Sequence, residues 1–397
     1  MLFIQIGQCG IQCGQEIIQK INKNNELGNS IKELVIDTES KVINKYKCKN
    51  NKEYLYKKYF QIGKDGSGNN WSFGYCKVNE ELIHSVMDNF NQLLESIDLH
   101  KGLNIVHSIA GGTGSGIFSK IIEEIRDRYP KSCISTYSIF PFESGENTLQ
   151  YYNSVFSLSW VQKYSDIAYC FSNKEILDIL CKEKKTKNYS LNDINEYISN
   201  CVSSLYPYGN KIQYINNWDI IYNICPIPSM KLLKVYSDSS LDNLVKNIPS
   251  NYNNSKLISG RLNLVSNDDM DERTLTKLYK KIGILSNPEC LSINYLRSKS
   301  VKKSYSQPRI NSLKEDESRP SHLPTINPKS RISLLKNSTD ILPSLNYFLN
   351  KSIYMYKNGA YWNYFKKYND NIDDLFIESY NTLYDCRNAY MEWHDDI

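Results

Sequence analysis

Ala110-Gly111-Gly112-Thr113-Gly114-Ser115-Gly116 is the stretch whose residue types point most directly to chemistry. Four glycines let a backbone approach a ligand closely, and the hydroxyls of Thr113 and Ser115 add hydrogen-bond donors. The stretch follows Leu103 to Ile109, an apolar run of strand length, and precedes Ile117, Ile121, Ile122 and Ile125, spaced as one face of a helix. A turn from strand to helix leaves the first N–H groups of the helix unpaired and facing the turn, so its natural guest is a phosphate. Other glycine motifs do not fit. No Gly-Lys-Ser/Thr follows, the third glycine of a dinucleotide turn would fall on Ile117, and a serine-hydrolase elbow would need glycine at Thr113. The competing reading is a tight turn whose glycines serve packing alone.

Three more segments carry matching chemistry. Gln8-Cys9-Gly10 with Gln12 places amide donors and a close-approach glycine after a first strand. Asp37 and Glu39 supply carboxylates suited to Mg²⁺, which is held through waters, one or two carboxylates and substrate phosphate oxygens. Gly66-Ser67-Gly68-Asn69-Asn70-Trp71 is a second small-residue loop, with the Asn69 and Asn70 side chains as further donors. Alone, Asp37 and Glu39 read as a turn and a solvated charge; beside two glycine loops they read as a nucleotide phosphate–Mg²⁺ site. The five histidines lie far apart without metal-ligand spacing, and His107, within a core strand, reads as a satisfied buried side chain.

Positioning these segments requires strands that end together. Leu2 to Ile6 is a strand, Gly7 to Gly10 a turn, and Ile11, Ile17, Ile18 and Ile21 mark a helix. Leu34-Val35-Ile36 is a second strand, Gly63 to Gly74 a loop, and Leu82, Val86, Phe90 and Leu93 mark another helix. A strand over Cys133 to Ile139 follows the glycine stretch and its helix. The alternation predicts an α/β fold with a doubly wound parallel sheet, whose ligands sit at the carboxyl ends of the strands. Helices are expected over about 173–205 and over Asp271 to Ile282, and strands over Arg261 to Val265 and Cys290 to Leu296. Tyr354, Tyr361, Tyr364, Phe365, Leu375, Phe376, Tyr380 and Tyr384 read as apolar helical positions of a core.

Composition sets the class. The chain has 397 residues, enough for two or three domains, with 41% hydrophobic and 23% charged residues, ordinary for a soluble globular protein. A net charge of +5 over this length does not imply nucleic acid. Eleven cysteines without a Cys-x-x-Cys pair read as reduced thiols, and no apolar run approaches membrane-spanning length. The expectation is a soluble, intracellular protein that partners neither nucleic acid nor a membrane. Residues 297–336 hold ten Lys and Arg against three acids, a net +7. They read either as a solvated flexible loop or as a patch that docks on an acidic surface.

Taken together, Gly7-Gln8-Cys9-Gly10-Ile11-Gln12, Gly68-Asn69-Asn70-Trp71 and Gly111-Gly112-Thr113-Gly114-Ser115-Gly116 resemble, in order, the nucleotide loops of the tubulin superfamily. More loosely, Tyr152-Asn153-Ser154 looks like the loop before the sugar site, and Asn173 and Asp193-Ile194-Asn195 like base-contacting positions. Ser292 to Tyr295 and Ser333 to Thr339 look like the late sheet, and 346–390 like the two terminal helices. The resemblance implies a GTP site formed by Gln8, Cys9, Gln12, Asn69, Ser108, Ala110, Gly111, Gly112, Thr113, Gly114, Ser115, Gly116, Asn173 and Asn195, with Mg²⁺ at Asp37 and Glu39. It implies a GTP-binding domain over 1–207 and a smaller α/β domain, reached by a central helix, over 208–345 with the basic loop near 297–330. A helical region over 346–397 follows.

Within the superfamily, His107-Ser108-Ile109-Ala110, Asp127 to Lys131, Thr136 to Pro141, Tyr214 to Asn217 and the ending Tyr390-Met391-Glu392-Trp393 resemble gamma-tubulin in divergent form. Gly66 to Trp71 and Asp37 to Ile43 suit delta-tubulin as the alternative. Gamma members bind GTP and nucleate microtubules at organising centres such as spindle poles, with microtubule minus ends, other tubulins and gamma-tubulin complex proteins as partners. Delta members are structural proteins of centrioles and basal bodies. A GTPase or switch whose turnover is the function is a third reading, and a degenerate tubulin without nucleotide a fourth. Departures are informative. Only 24 residues, Cys13 to Ile36, separate Gln12 from Asp37, so a long loop used in lateral contacts is largely missing or the sequence lacks a piece. Leu191 stands where an aromatic usually stacks on guanine, with Tyr189 nearby. The carboxylate that activates water on a neighbour's GTP falls near Tyr222 or Asp219, which implies weak or absent hydrolysis in trans.

Overall fold

Leu2, Ile4 and Ile6 face one side of a sheet and Phe3 the other, the period of two that a buried strand requires. In the computed structural model, residues 1–24, 31–49, 58–63, 66–77, 80–97, 102–145, 147–184, 189–206, 217–248, 255–266, 273, 291–297 and 331–395 are described. The first half alternates β1 (Leu2–Ile6), α1 (Gly7–Asn24), β2 (Lys32–Asp37), α2 (Ser40–Lys49), β3 (Lys58–Ile62), α3 (Trp71–Cys76), α4 (Glu80–Glu95) and β4 (Leu103–Ser108). It continues through α5 (Phe118–Arg128), β5 (Ile134–Phe140), α6 (Gln150–Tyr164), β6 (Ile167–Ser172), α7 (Asn173–Lys184) and α8 (Leu191–Ser203). Then follow α9 (Asn217–Ile224), β7 (Leu232–Asp238), α10 (Leu241–Asn247), β8 (Leu257–Ser266), β9 (Leu291–Arg297), β10 (Arg331–Ser338), α11 (Leu342–Lys357), α12 (Asn363–Lys366) and α13 (Ile372–Asp395).

The strands form one sheet in the order β3-β2-β1-β4-β5-β6-β7-β10-β8-β9. Strands β3 through β7 of that order run parallel, β10 lies antiparallel to β7 and β8, and β9 is parallel to β8. This is the expected doubly wound α/β sheet with a mixed far half. Across the expected domain boundary near 207 the sheet continues through the pairs Ala168–Leu232 and Tyr169–Leu233. One face packs under α4, α5, α6, α11 and α13, the other under α1, α7, α8 and α9.

Several local expectations are corrected. Tyr152, Asn153 and Ser154 are not a loop but buried positions inside α6. The loop from Gly63 ends at Trp71, where Asn70 caps α3. The two terminal helices are three, and only Phe365 and Phe376 of the proposed aromatic stripe are fully buried, whereas Tyr354, Tyr361, Tyr364 and Tyr384 face solvent. A stripe pattern reports helical spacing; which of its rings find a neighbour depends on how α11 to α13 pack on α6. The tail of the basic stretch, 331–336, is strand β10, and Lys336 is buried in an ion pair with Asp340. Residues 298–330, most of the expected helix over 271–282, and Tyr214 to Asn216 lie outside the described residues. Among the described residues no helix is long and apolar enough to cross a membrane.

Candidate functional site

β1 and β4 are neighbours at the point where the strand order reverses, the place where open α/β sheets leave a crevice for ligands. The segments leaving their carboxyl ends therefore meet. They do so at Gly7 and Gly114, where a Cβ on Gly7 would lie 2.8 Å from Gly114 N. Gly7 has φ +75°, which glycine adopts without strain, and it opens α1 directly. The expected turn over Gly7 to Gly10 is thus the first turn of a helix, whose unpaired N–H groups include those of Gln8, Cys9 and Gly10. Gln8 is exposed and Gln12 half-buried. Gly10, in contrast, packs on β4: a Cβ there would lie 2.4 Å from Val106 O, so its glycine serves packing rather than ligand approach. Burial pushes the Cys9 thiol up to about 11 and keeps it protonated, against a hydrogen bond with Ser108 that lowers it.

The glycine stretch is wound more tightly than a loop. Thr113–Ile117 form a wide helical turn leading into α5, with Gly116 N–H donating to Gly112 O at 2.7 Å. The Ser115 hydroxyl donates to Gly111 O, and the Ala110 N–H to Ser108 Oγ at 3.4 Å. Gly112 and Gly116 let protein backbone through: Cβ atoms there would lie 2.7 Å from Ser67 O and 2.5 Å from Trp71 O. Gly111 alone of the four would point a Cβ into open space. Packing and ligand approach are therefore divided among the glycines.

Beneath the stretch lies His107. Its ring stacks on Phe118 at 3.5 Å, with Nδ1 3.0 Å from Gly114 O and Nε2 2.8 Å from Ser138 Oγ. Burial drives its pKa down to about 3, so the imidazole is neutral. Because a carbonyl only accepts, Nδ1 carries the hydrogen and Nε2 accepts from Ser138. The expectation of a satisfied core histidine holds, and its partner is the phosphate-type loop itself.

Three loops are locked together by hydroxyls. Thr38 Oγ1 lies 2.7 Å from Thr113 Oγ1 and 3.3 Å from Ser67 Oγ, and Ser67 Oγ lies 3.0 Å from Thr113 Oγ1. Ser115 thus spends its hydroxyl inside the protein, while the half-buried Thr113 places its own against Thr38 and Ser67. Thr38 is flanked by the two carboxylates. Asp37 is buried; its Oδ1 accepts the Glu39 N–H at 3.0 Å and its Oδ2 has no hydrogen-bond partner. Burial, against its hydrogen bond from Glu39 N–H and with the Glu39 charge adding, pushes its pKa to about 6. Glu39 is exposed beside Gly66, where a Cβ would lie 3.1 Å from Glu39 Oε1. A buried carboxylate oxygen without a partner next to an exposed carboxylate is donor chemistry that suits a hard divalent cation. Among the described residues no cluster of three or more His, Cys, Asp or Glu exists, so water or phosphate oxygens would have to complete such a shell.

The second small-residue loop is held from below. Asn69 adopts φ +52° and exposes its side chain. Asn70 is no free donor: its Oδ1 accepts the Ser72 N–H at 2.8 Å and its Nδ2 donates to Tyr364 O at 2.9 Å. Trp71 stacks on Tyr75 and Phe156 and donates its indole N–H to Ser119 Oγ. Two clamps were not apparent from residue types. Asn153 Nδ2 donates to both Asn69 O and Ala110 O, its Oδ1 accepts the Trp71 N–H, and Asn147 Nδ2 donates to Ala110 O. Only the Tyr152-Asn153-Ser154 wording hinted at them.

Asn173 opens α7 directly after β6, at the same sheet edge, and half-buried Asn195 lies on α8, which packs along α1 with Lys20 and Glu196 3.8 Å apart. Leu191 is 60% exposed, and the Tyr189 hydroxyl donates to Leu180 O at 2.5 Å, which ties that ring to α7. α9 lies at the opposite edge: Asn217 Nδ2 donates to Ser135 Oγ at the start of β5. It exposes Trp218 (53%), Asp219 and Tyr222 (83%), and the Asp219 charge acts on the half-buried Arg261 guanidinium.

Comparison with known proteins agrees with this geometry. Residues 1–181 match the Tubulin/FtsZ family, GTPase domain. The tubulin delta chain of Macaca fascicularis is 26% identical over 96% of this chain and 97% of its own length. The tubulin gamma chain of Saccharomyces cerevisiae is 35% identical over 36% of this chain and 31% of its own length, and the tubulin beta-6 chain of Gallus gallus 28% over 52% of each. Residues 1–181 are thus similar to the Tubulin/FtsZ GTPase domain over the parallel sheet, and the chain is similar to a delta-tubulin from end to end.

Proposed function

We propose that this chain is a GTP- and Mg²⁺-binding structural tubulin of the delta type, working at centrioles or basal bodies through bound nucleotide rather than turnover. The observation that carries the nucleotide reading is the convergence of Gly7, Thr38, Ser67 and Gly111 to Gly116 on one sheet edge. In this reading the backbone N–H groups of Gly111, Gly112, Thr113, Gly114 and Ser115, with Ser108, Ala110, Gln8, Cys9, Gln12 and Asn69, hold the phosphates, and Gly116 closes the turn through its N–H to Gly112 O. Asn173 and Asn195 meet the base, and Asp37 and Glu39 hold Mg²⁺ through oxygen. The metal, when bound, neutralises phosphate charge. The far edge supports binding over turnover: α9 presents Trp218 and Tyr222, and its one carboxylate, Asp219, faces Arg261. Exposed aromatic rings are the side chains that anchor protein interfaces, so this edge is suited to stack on another tubulin.

The delta reading rests on a match that runs along the whole chain. A gamma-type reading, nucleation of microtubules at a spindle pole with minus ends and gamma-tubulin complex proteins as partners, is favoured by the higher but local identity to the yeast gamma chain. Tagging the endogenous protein separates them, because signal at basal bodies supports the first and signal at spindle poles the second. Nucleotide binding is tested by thermal unfolding with GTP and Mg²⁺. Wild type should gain melting temperature and Gly111→Val should not, because a side chain at Gly111 meets ligand space and no protein atom. No gain for wild type overturns the nucleotide reading. Gly112→Val is the poorer probe, since it strikes Ser67 and the loop junction itself.

A further inference from the structure

Thr38 stands between the two candidate cation ligands in sequence and between the two phosphate-type loops in space. Its hydroxyl is buried and reaches Thr113 Oγ1 at 2.7 Å and Ser67 Oγ at 3.3 Å, while those two lie 3.0 Å apart. Each of three hydroxyls in mutual contact can donate to one neighbour and accept from the other, so their orientations are coupled. The junction also reaches the carboxylates on both sides. Asp37 Oδ1 is held by the Glu39 N–H, and Glu39 lies against Gly66, the residue before Ser67. A β-branched residue at this position has a stiff side chain, so moving its hydroxyl moves the backbone that carries Asp37 and Glu39.

From this juxtaposition we infer that Thr38 is a positioning residue that couples the divalent cation to the phosphate loops: the Thr38–Ser67–Thr113 hydroxyl triangle transmits the placement of Asp37 and Glu39 to Gly111–Gly116. The inference rests on the GTP–Mg²⁺ reading above and adds a residue and a coupling to it. Without the triangle the loops still bind phosphate through their N–H groups, but the cation no longer tightens that binding.

The test titrates fluorescent GTP into the full-length chain with Mg²⁺ and with a chelator, for wild type, Thr38→Val, Thr38→Ser and Ser67→Ala. The readout is the factor by which Mg²⁺ strengthens binding. Thr38→Val should lower that factor about three- to tenfold, the span of one net hydrogen bond, and leave Mg²⁺-free affinity within about twofold. Thr38→Ser, which keeps the hydroxyl, should restore most of the factor, and Ser67→Ala, which opens the triangle from the loop side, should reproduce the loss. Should Thr38→Val fail to fold, the Ser67→Ala result decides in the same sense. Equal weakening with and without Mg²⁺ overturns the coupling and leaves a packing role. Absence of GTP binding by wild type overturns the nucleotide reading itself, and this inference with it.

Discussion

Asn153 Nδ2 donates to Ala110 O at 2.8 Å from a position inside α6 where its side chain is wholly buried. The same carboxamide donates to Asn69 O and accepts the Trp71 N–H, so one helical residue fixes two loops that are 41 positions apart in the chain. Asn153→Leu orphans the buried Trp71 N–H and removes a donor from each carbonyl. It should cost about 1–3 kcal/mol of stability and weaken GTP binding. Urea unfolding and nucleotide titration check both; unchanged loops would show as unchanged values in each.

Asp37 is expected to trade stability for ligation. Its folded pKa of about 6 lies above the ordinary 3.8, so above pH 6 the folded state carries a buried charge without a partner at Oδ2. Asp37→Asn should therefore stabilise the nucleotide-free protein near neutral pH by up to about 3 kcal/mol, a gain that fades between about pH 6 and pH 4. The same change should weaken Mg²⁺-dependent GTP binding at least tenfold, about 1.4 kcal/mol or more. Destabilisation of the nucleotide-free variant at neutral pH contradicts the assignment.

His107 gives the opposite slope. Its folded pKa, lowered from 6.5 to about 3, means that the unfolded chain takes up a proton first as pH falls. Stability from the neutral ring is complete above 6.5 and is lost as pH drops below it, by about 2 kcal/mol between about pH 7 and pH 5. His107→Gln should show a correspondingly flatter dependence over that interval in urea unfolding.

Lys336 and Asp340 form an ion pair with both side chains buried, and Lys234 Nζ adds a bond to Asp340 O at 3.1 Å. Lys336→Met leaves the buried Asp340 carboxylate without its ion-pair partner, held by the Ser338 hydroxyl at 2.6 Å, and should destabilise by about 3 kcal/mol, whereas Lys336→Met with Asp340→Asn should recover much of the loss. Chemical denaturation of both variants measures the difference. Equal cost in single and double variants would show that the pair is not coupled.

Much of the nucleotide edge was legible in residue order. Apolar runs of strand length, each followed by small residues or by Asp37 and Glu39, require strands whose ends carry polar loops, and the parallel sheet then collects those ends. What could not be read was the use each polar atom is put to. Thr113 and Ser115 turn their hydroxyls inward, Asn70 caps α3, Gly10 makes room for β4, and Asn153 works from within a helix. A residue type states which bonds a side chain can make, and its neighbours in space state which it does make. The solvent-facing tyrosines failed in two ways: Tyr354, Tyr364 and Tyr384 lie on helices but face solvent, and Tyr361 lies in the turn between α11 and α12 at φ +60°.

The sequence by itself determined the doubly wound α/β sheet and the place of the glycine stretch after its strand, because periodicity and glycine spacing are local properties, and its three loop motifs carry the resemblance to the tubulin superfamily. Only the tertiary structure decided that Gly111 faces open space while Gly112 and Gly116 face protein, that Asp37 Oδ2 is buried without a partner, and that Thr38 meets Thr113. Those facts depend on strands β1, β2 and β4 lying side by side with their carboxyl ends level, a relation that pairs Leu2 with Leu103 and that no local pattern encodes.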